Sequence, residues 1–254
     1  TRSFDSINLV QKRLRRLPKS PNKLRNMKKI IDTIYQNAPI WMQNLLVSTY
    51  GYKLYHQRYT GSVHQRVIED ITKAKSFSNE ERVCFQAERM HEMVKYCRLN
   101  IPYDQNLFSE HGFTEKDFTS LTDLRKLPVL EKGTLKSNID QFKPTHATKP
   151  YMIQHTSGST GTPLSLFVDE YTYKLAMALL VDHEESYGVP FGTKRVTLAG
   201  RLIQPLENTS PPFWRYNRAE NQYLFSSYHL NNNTFLHYED ALNKIRPLEI
   251  IGYP

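Results

Sequence analysis

From Met27 to about Cys97 apolar residues return every three or four positions and glycines are few, the pattern of packed helices. The clearest segment is Asn79 to Arg98. There Val83, Ala87, Met90, Val94 and Cys97 fall on one stripe, and Ser78 with Glu81 makes a capping box, which predicts a core-facing helix. Leu121 to Lys132 reads as a short helix stopped by Pro128, followed by a turn into another helix ending near Asn138. After Lys149 the period shortens to two. Tyr151 to His155 predicts a strand, and Leu164, Leu166 and Val168 alternating with Ser165 and Phe167 predict a second. Asp169 then caps a helix carrying Leu175, Ala176, Leu179, Leu180 and His183 on one side, closed by Gly188 and Pro190. Strands are expected over Arg195 to Ala199, Gln222 to Ser227 and Leu248 to Ile251, with a helix from Thr234 to Ile245.

Strands alternating with helices imply a layered α/β sheet. The expected organisation is a mainly helical region over 1–110 and an α/β region over 111–254. A chain of 254 residues can bury a sizeable core as one large domain or two modest ones. Its 39% hydrophobic and 23% charged content argues against disorder, and no run approaches the roughly 18 apolar residues of a membrane span. Cys84 and Cys97 are too few for a disulfide framework and lack the close pairing of a zinc or redox site. With so few cysteines and no disulfide framework, the cytoplasm is the expected compartment. Thr1 at one end and Gly252-Tyr253-Pro254 at the other read as cuts in a longer protein.

The net charge of +9 is concentrated rather than spread. Lys12, Arg13, Arg15, Arg16, Lys19, Lys23, Arg25, Lys28 and Lys29 follow one another with no acid among them, so the rest of the chain is neutral on balance. Pro18 and Pro21 break the run and no aromatic residue is interleaved for base stacking, so a nucleic-acid partner is not expected. The favoured reading is a solvated face; peripheral membrane contact through residues 12–29 is the alternative.

The chemistry lies in the loop between the first two strands, Thr156-Ser-Gly-Ser-Thr-Gly-Thr-Pro163. Phosphate oxygens demand many donors at close range. Gly158 and Gly161 let the backbone curl around an anion, Thr156, Ser157, Ser159 and Thr160 add hydroxyls, and Pro163 stiffens the exit. A Walker loop is excluded because Gly161 is followed by Thr162-Pro163 and a strand, not by Lys-Ser/Thr and a helix. The dinucleotide fingerprint GxGxxG is absent.

His155-Thr-Ser-Gly-Ser-Thr-Gly-Thr-Pro163 resembles the phosphate loop of adenylate-forming enzymes at every fixed position. Leu127-Pro-Val-Leu-Glu-Lys132, Gln43-Asn-Leu-Leu-Val-Ser-Thr-Tyr-Gly-Tyr52 with Arg58-Tyr59, Ser226-Ser-Tyr-His-Leu230 and Ile250-Ile-Gly-Tyr-Pro254 narrow the resemblance. They are similar to segments of the phenylacetate-CoA ligase family and its branch of CapK-type capsular polysaccharide biosynthesis proteins. The resemblance implies the first part of that family's large layered α/β domain, truncated before the C-terminal domain. It also implies ATP and Mg2+ as cofactors, a small-molecule carboxylate as substrate, and a thiol or other nucleophile as acceptor. Thr156, Ser157, Gly158, Ser159, Thr160, Gly161 and Pro163 would hold the nucleotide phosphates. Leu164 stands where many acyl-CoA synthetases carry lysine, as in the phenylacetate-CoA ligase branch. The family's glutamate motif, ribose-binding aspartate and catalytic lysine would lie beyond residue 254, so this stretch alone is expected to be inactive. A noncatalytic nucleotide-binding or interaction module that keeps the fold is the alternative.

His229, on a segment resembling the family's substrate side, is a candidate for substrate binding against the simpler reading of a buried, hydrogen-bonded structural histidine. His155 is expected to shape the loop from its strand. Trp214-Arg215-Tyr216 either lines a pocket or fills the core. Glu88-x-x-His91 has metal-ligand spacing but no second copy elsewhere, and reads as an exposed helix face.

Overall fold

The structure, a computed structural model, describes residues 33–146, 150–156, 164–198, 200 and 202–252. The basic run over 12–29 and loop positions 157–163 lie outside the described residues. The chain is a mixed α/β protein with helices at its front and two small sheets. It divides into two compact units, one formed by the described residues of Thr1–Gly61 and Met177–Pro254, the other by those of Ser62–Ala176.

The Ser62–Ala176 unit is built mainly from helices. After α1 (Ile40–Tyr59), which belongs to the other unit, come α2 (Ser62–Lys75), α3 (Asn79–Asn100), α4 (Pro102–His111) and α5 (Lys132–Ser137). The capping box forms as expected: the Ser78 side chain accepts from the Glu81 N–H, and the Glu81 carboxylate accepts from the Ser78 N–H at 2.7 Å. Pro102, which lacks a donor to lose, opens α4, and Gly112 ends it at φ 64°, where a side chain would be strained. Met90 and Val94 of α3, Phe108 of α4 and Phe118 form the core, with Phe113, Leu124 and Leu127 packed against it. The predicted stripe on α3 is therefore apolar over its whole length but buried only in its second half. Val83 is 61% exposed, because Phe108 and Phe118 meet the helix only at Met90 and beyond. The predicted helix before Pro128 is a 3-10 turn over Leu121–Lys126.

Two strands of this unit, β1 (Met152–His155) and β2 (Ser165–Val168), pair antiparallel as a hairpin in the register Met152↔Val168 to His155↔Ser165. α6 (Glu170–Ser186) follows, its first turn capped where the Asp169 carboxylate accepts from the Thr172 N–H at 2.6 Å. Its buried face differs from the predicted one. Tyr173, Lys174 and Ala178 are buried while Ala176, Leu179 and Leu180 face outward, with Lys174 tied to Glu170 at 2.8 Å.

The other unit holds a four-stranded sheet in the order β4-β5-β3-β6, where β3 is Arg195–Leu198, β4 Trp214–Asn217, β5 Gln222–Phe225 and β6 Glu249–Gly252. β3 runs parallel to both β5 and β6, and β4 closes the far edge antiparallel to β5. α7 (Phe235–Ile245) carries the chain from β5 past β3 to β6 and contributes Tyr238, Ala241 and Ile245 to a core shared with Val196, Phe213 and Phe225. Trp214-Arg215-Tyr216, not predicted as a strand, is β4. Trp214 stacks on Phe225 with ring centroids 5.2 Å apart, and so joins the core.

Helix α1 covers the outer edge of β4 with polar groups. Asn44 Oδ1 accepts from the Tyr216 N–H at 3.0 Å, and the Ser48 hydroxyl donates to the Tyr216 carbonyl at 3.2 Å. Gln43 accepts from Arg215 Nε. An unpaired strand edge thus finds its partners in helix side chains. Gly51 sits where the two elements come closest: an added Cβ would lie 1.9 Å from Asn217 Oδ1.

Candidate functional site

The hairpin β1–β2 presents the described ends of the hydroxyl- and glycine-rich loop. One pair beyond the last ladder residues, the Thr156 N–H donates to the Leu164 carbonyl at 3.0 Å, and the Leu164 N–H donates to Thr156 Oγ1 at 3.0 Å. These two bonds draw positions 156 and 164 together, so the segment between them leaves and returns through a closed neck. Thr156 Oγ1 serves as the acceptor in the second of these bonds. His155 lies at the end of β1, as expected, with Nδ1 3.0 Å from Ser165 Oγ on the opposite strand. Ser157, Gly158, Ser159, Thr160, Gly161 and Pro163 lie outside the described residues. The donor chemistry of the sequence and the closed neck both suit a polyphosphate, which needs converging N–H and O–H groups held on a fixed base.

The hairpin is lightly buried. Ile153, Leu166 and Phe167 are each about two-fifths or more exposed, and Phe167 lies under the Lys143 ammonium at 4.9 Å.

In the other unit, the carboxyl end of β5 carries a buried polar cluster. His229 Nε2 lies 3.1 Å from the Pro205 carbonyl and Nδ1 2.7 Å from Ser226 Oγ. A carbonyl only accepts, so Nε2 carries the proton and Nδ1 accepts from the Ser226 hydroxyl. The imidazole is buried, stacked on Phe213 at 5.5 Å, and both nitrogens are engaged. Ser226 is wholly buried; its carbonyl accepts from Tyr238 at 2.6 Å and its N–H donates to the Phe213 carbonyl at 2.9 Å. In this arrangement His229 holds the segment after β5 to the segment around Pro205.

At the opposite end of the parallel strands, Arg195 at the start of β3 lies 3.9 Å from both Glu184 and Glu249. Burial, reinforced by the neighbouring Glu249 carboxylate and opposed by Arg195, holds the Glu184 carboxyl above the usual glutamate value. The same unit has an open cleft of about 510 Å³ lined by Tyr52, Tyr55, His56, Phe191 and Arg218, which sequence reading missed. Its available signal was the run of tyrosines along α1, of which Tyr55 and Tyr59 both contact Phe191.

No family model matches the chain. The chain is similar to Protein CapK of Staphylococcus aureus. The two are 29% identical over 224 residues, covering 88% of this chain and 48% of that protein. Over 98 residues the chain is also 33% identical to phenylacetate-coenzyme A ligase of Aromatoleum evansii, covering 38% of this chain and 21% of the ligase. The chain thus spans about half the length of CapK and about a fifth of the ligase. These similarities agree with a relationship to an adenylate-forming, ligase-like family. Among the described residues no three His, Cys, Asp or Glu side chains gather as a metal site, and no helix is long and apolar enough to cross a membrane. His91 places Nδ1 3.2 Å from the Phe118 carbonyl, and Glu88 is exposed.

Proposed function

We propose that the complete protein is an adenylate-forming ligase. A carboxylate oxygen attacks the α-phosphorus of ATP, the bond to the β-phosphate oxygen breaks, and pyrophosphate leaves an acyl-adenylate behind. A thiol or other nucleophile then attacks the acyl carbon and releases AMP. The observation that carries this reading is the hydroxyl- and glycine-rich loop set between antiparallel strands and drawn to a neck by Thr156 and Leu164. Similarity to a protein named as a ligase supports it.

In this reading Thr156 to Gly161 hold the β- and γ-phosphates and orient the leaving group, with Pro163 fixing the exit. Mg2+, when bound with the nucleotide, shares the phosphate charge. The attacking carboxylate is already anionic and needs no general base. His229 serves as a positioning residue that keeps the end of β5 in place beside the Pro205 segment. We place the activity in the cytoplasm and, by resemblance to the CapK-type branch, in capsular or surface polysaccharide biosynthesis.

Pyrophosphate release from ATP by the full-length protein, measured against a panel of carboxylic acids, tests the proposal. Release that depends on one class of acid is expected, and Gly158→Val abolishes both release and ATP binding by blocking close approach of the backbone to phosphate. Unchanged ATP affinity in Gly158→Val removes the loop from the account.

A further inference from the structure

The hairpin has little burial to hold its strands in place. Ile153, Leu166 and Phe167 each expose about two-fifths or more of their surface, so apolar packing contributes little to the spacing of β1 and β2 at the loop end. Hydrogen bonds supply it instead. In an antiparallel ladder, pairs that exchange backbone bonds alternate with pairs that exchange none. Thr156 and Leu164 stand at a bonded position, since the Thr156 N–H donates to the Leu164 carbonyl at 3.0 Å. The pair before them, His155 and Ser165, therefore stands at an unbonded one, where only side chains can link the strands.

Both positions carry a side-chain link. His155 Nδ1 lies 3.0 Å from Ser165 Oγ and joins the strands at the pair the backbone leaves open. At the next pair the return bond also comes from a side chain: the Leu164 N–H donates to Thr156 Oγ1 at 3.0 Å, and β1 ends at His155. Two consecutive side-chain bonds thus clasp the strands where the loop departs. His155 is exposed and Ser165 half-buried, so the pair is no part of a core. A loop rich in glycine has wide conformational freedom, and the convergence of its donors depends on where its two ends are held.

We propose that His155 and Ser165 are positioning residues for the nucleotide, an inference that rests on the adenylate-forming reading of the loop. Their cross-strand bond, together with the bond from Leu164 to Thr156, holds the loop ends at the separation that lets its donors converge on the β- and γ-phosphates. They act through the loop and do not touch ATP. Their effect falls on ligands that carry those phosphates and spares AMP, which lacks them.

The test measures binding of Mg2+–ATP and of AMP to the full-length protein by calorimetry. Ser165→Ala and His155→Phe should each weaken ATP binding about tenfold, the upper end for loss of one such bond, and leave AMP binding unchanged. Ser165→Thr restores a hydroxyl on a residue suited to a strand and should keep the parent's affinity for ATP. The double variant Ser165→Ala with His155→Phe should bind ATP no more weakly than either single variant, because both act through one bond. Gly158→Val is the control for the loop itself. If it leaves ATP binding intact, the loop reading fails and this inference fails with it. If it abolishes ATP binding while Ser165→Ala and His155→Phe bind ATP as the parent does, the loop reading stands and the positioning role is overturned. Equal weakening of ATP and AMP, or additive losses in the double variant, would overturn that role as well.

Discussion

The four-stranded sheet and the β1–β2 hairpin answer the same need, pairing of strand backbone, in opposite ways. The sheet is covered on a face and at an edge: α7 packs against it through Phe213, Phe225 and Tyr238, and α1 seals the edge of β4 with Asn44 and Ser48. The hairpin exposes most of its four-residue strands and ends in a loop whose described neck is two hydrogen bonds across Thr156 and Leu164. The two regions should therefore contribute unequally to stability, and substitutions should separate them.

The largest stability loss is expected at the sheet. Phe225→Ala removes a side chain that is 1% exposed, stacked on Trp214 and tilted against Tyr238, and should cost about 3–5 kcal/mol in urea unfolding. Gly51→Ala comes next. Its methyl would collide with Asn217, which cannot step aside easily because it is bonded to Glu220, Gln222 and the Ala219 N–H. A loss of about 1–3 kcal/mol is expected, as for overpacking elsewhere. A melting temperature unmoved by Gly51→Ala would mean that α1 does not approach β4 as described.

A smaller, pH-dependent effect belongs to Glu184. Burial and the nearby Glu249 raise its folded-state pKa above the unfolded value near 4.5, so the folded form holds the proton more tightly. That contribution to stability is complete below the unfolded value and is lost as pH rises through the raised one. Glu184→Gln should therefore flatten the decline in stability from mildly acidic to neutral pH; an identical pH profile in variant and parent contradicts this. The smallest effect is expected on the hairpin. Phe167→Ala, at a ring 45% exposed, should cost under about 1 kcal/mol, mostly its contact with Lys143.

The same contrast explains what could be read from sequence. β1, β2, the capping box of α3 and the helix after Asp169 were legible because each rests on residues a few positions apart. β4 was not, since the groups that satisfy its edge, Gln43 and Asn44, stand 172 residues away from Arg215 and Tyr216. The buried face of α6 was misplaced because leucines marked it while Ala178 and Lys174 occupy it. For His229 the partner was within reach: Ser226 precedes it by three residues and binds it, a spacing that sequence reading passed over. The loop was recognisable as a pattern of residue types, a local signal that needs no knowledge of the surrounding fold.

Heavy-oxygen transfer tests the central claim most directly. If a carboxylate attacks the α-phosphorus of ATP, a substrate acid labelled in its carboxylate oxygens passes one labelled oxygen to AMP when the acyl group moves to the acceptor. Incubation of the full-length protein with ATP, Mg2+, the labelled acid and the acceptor should yield labelled AMP and unlabelled pyrophosphate, read by mass spectrometry. Label appearing in inorganic phosphate, or ATP consumed with AMP unlabelled, would contradict adenylate formation.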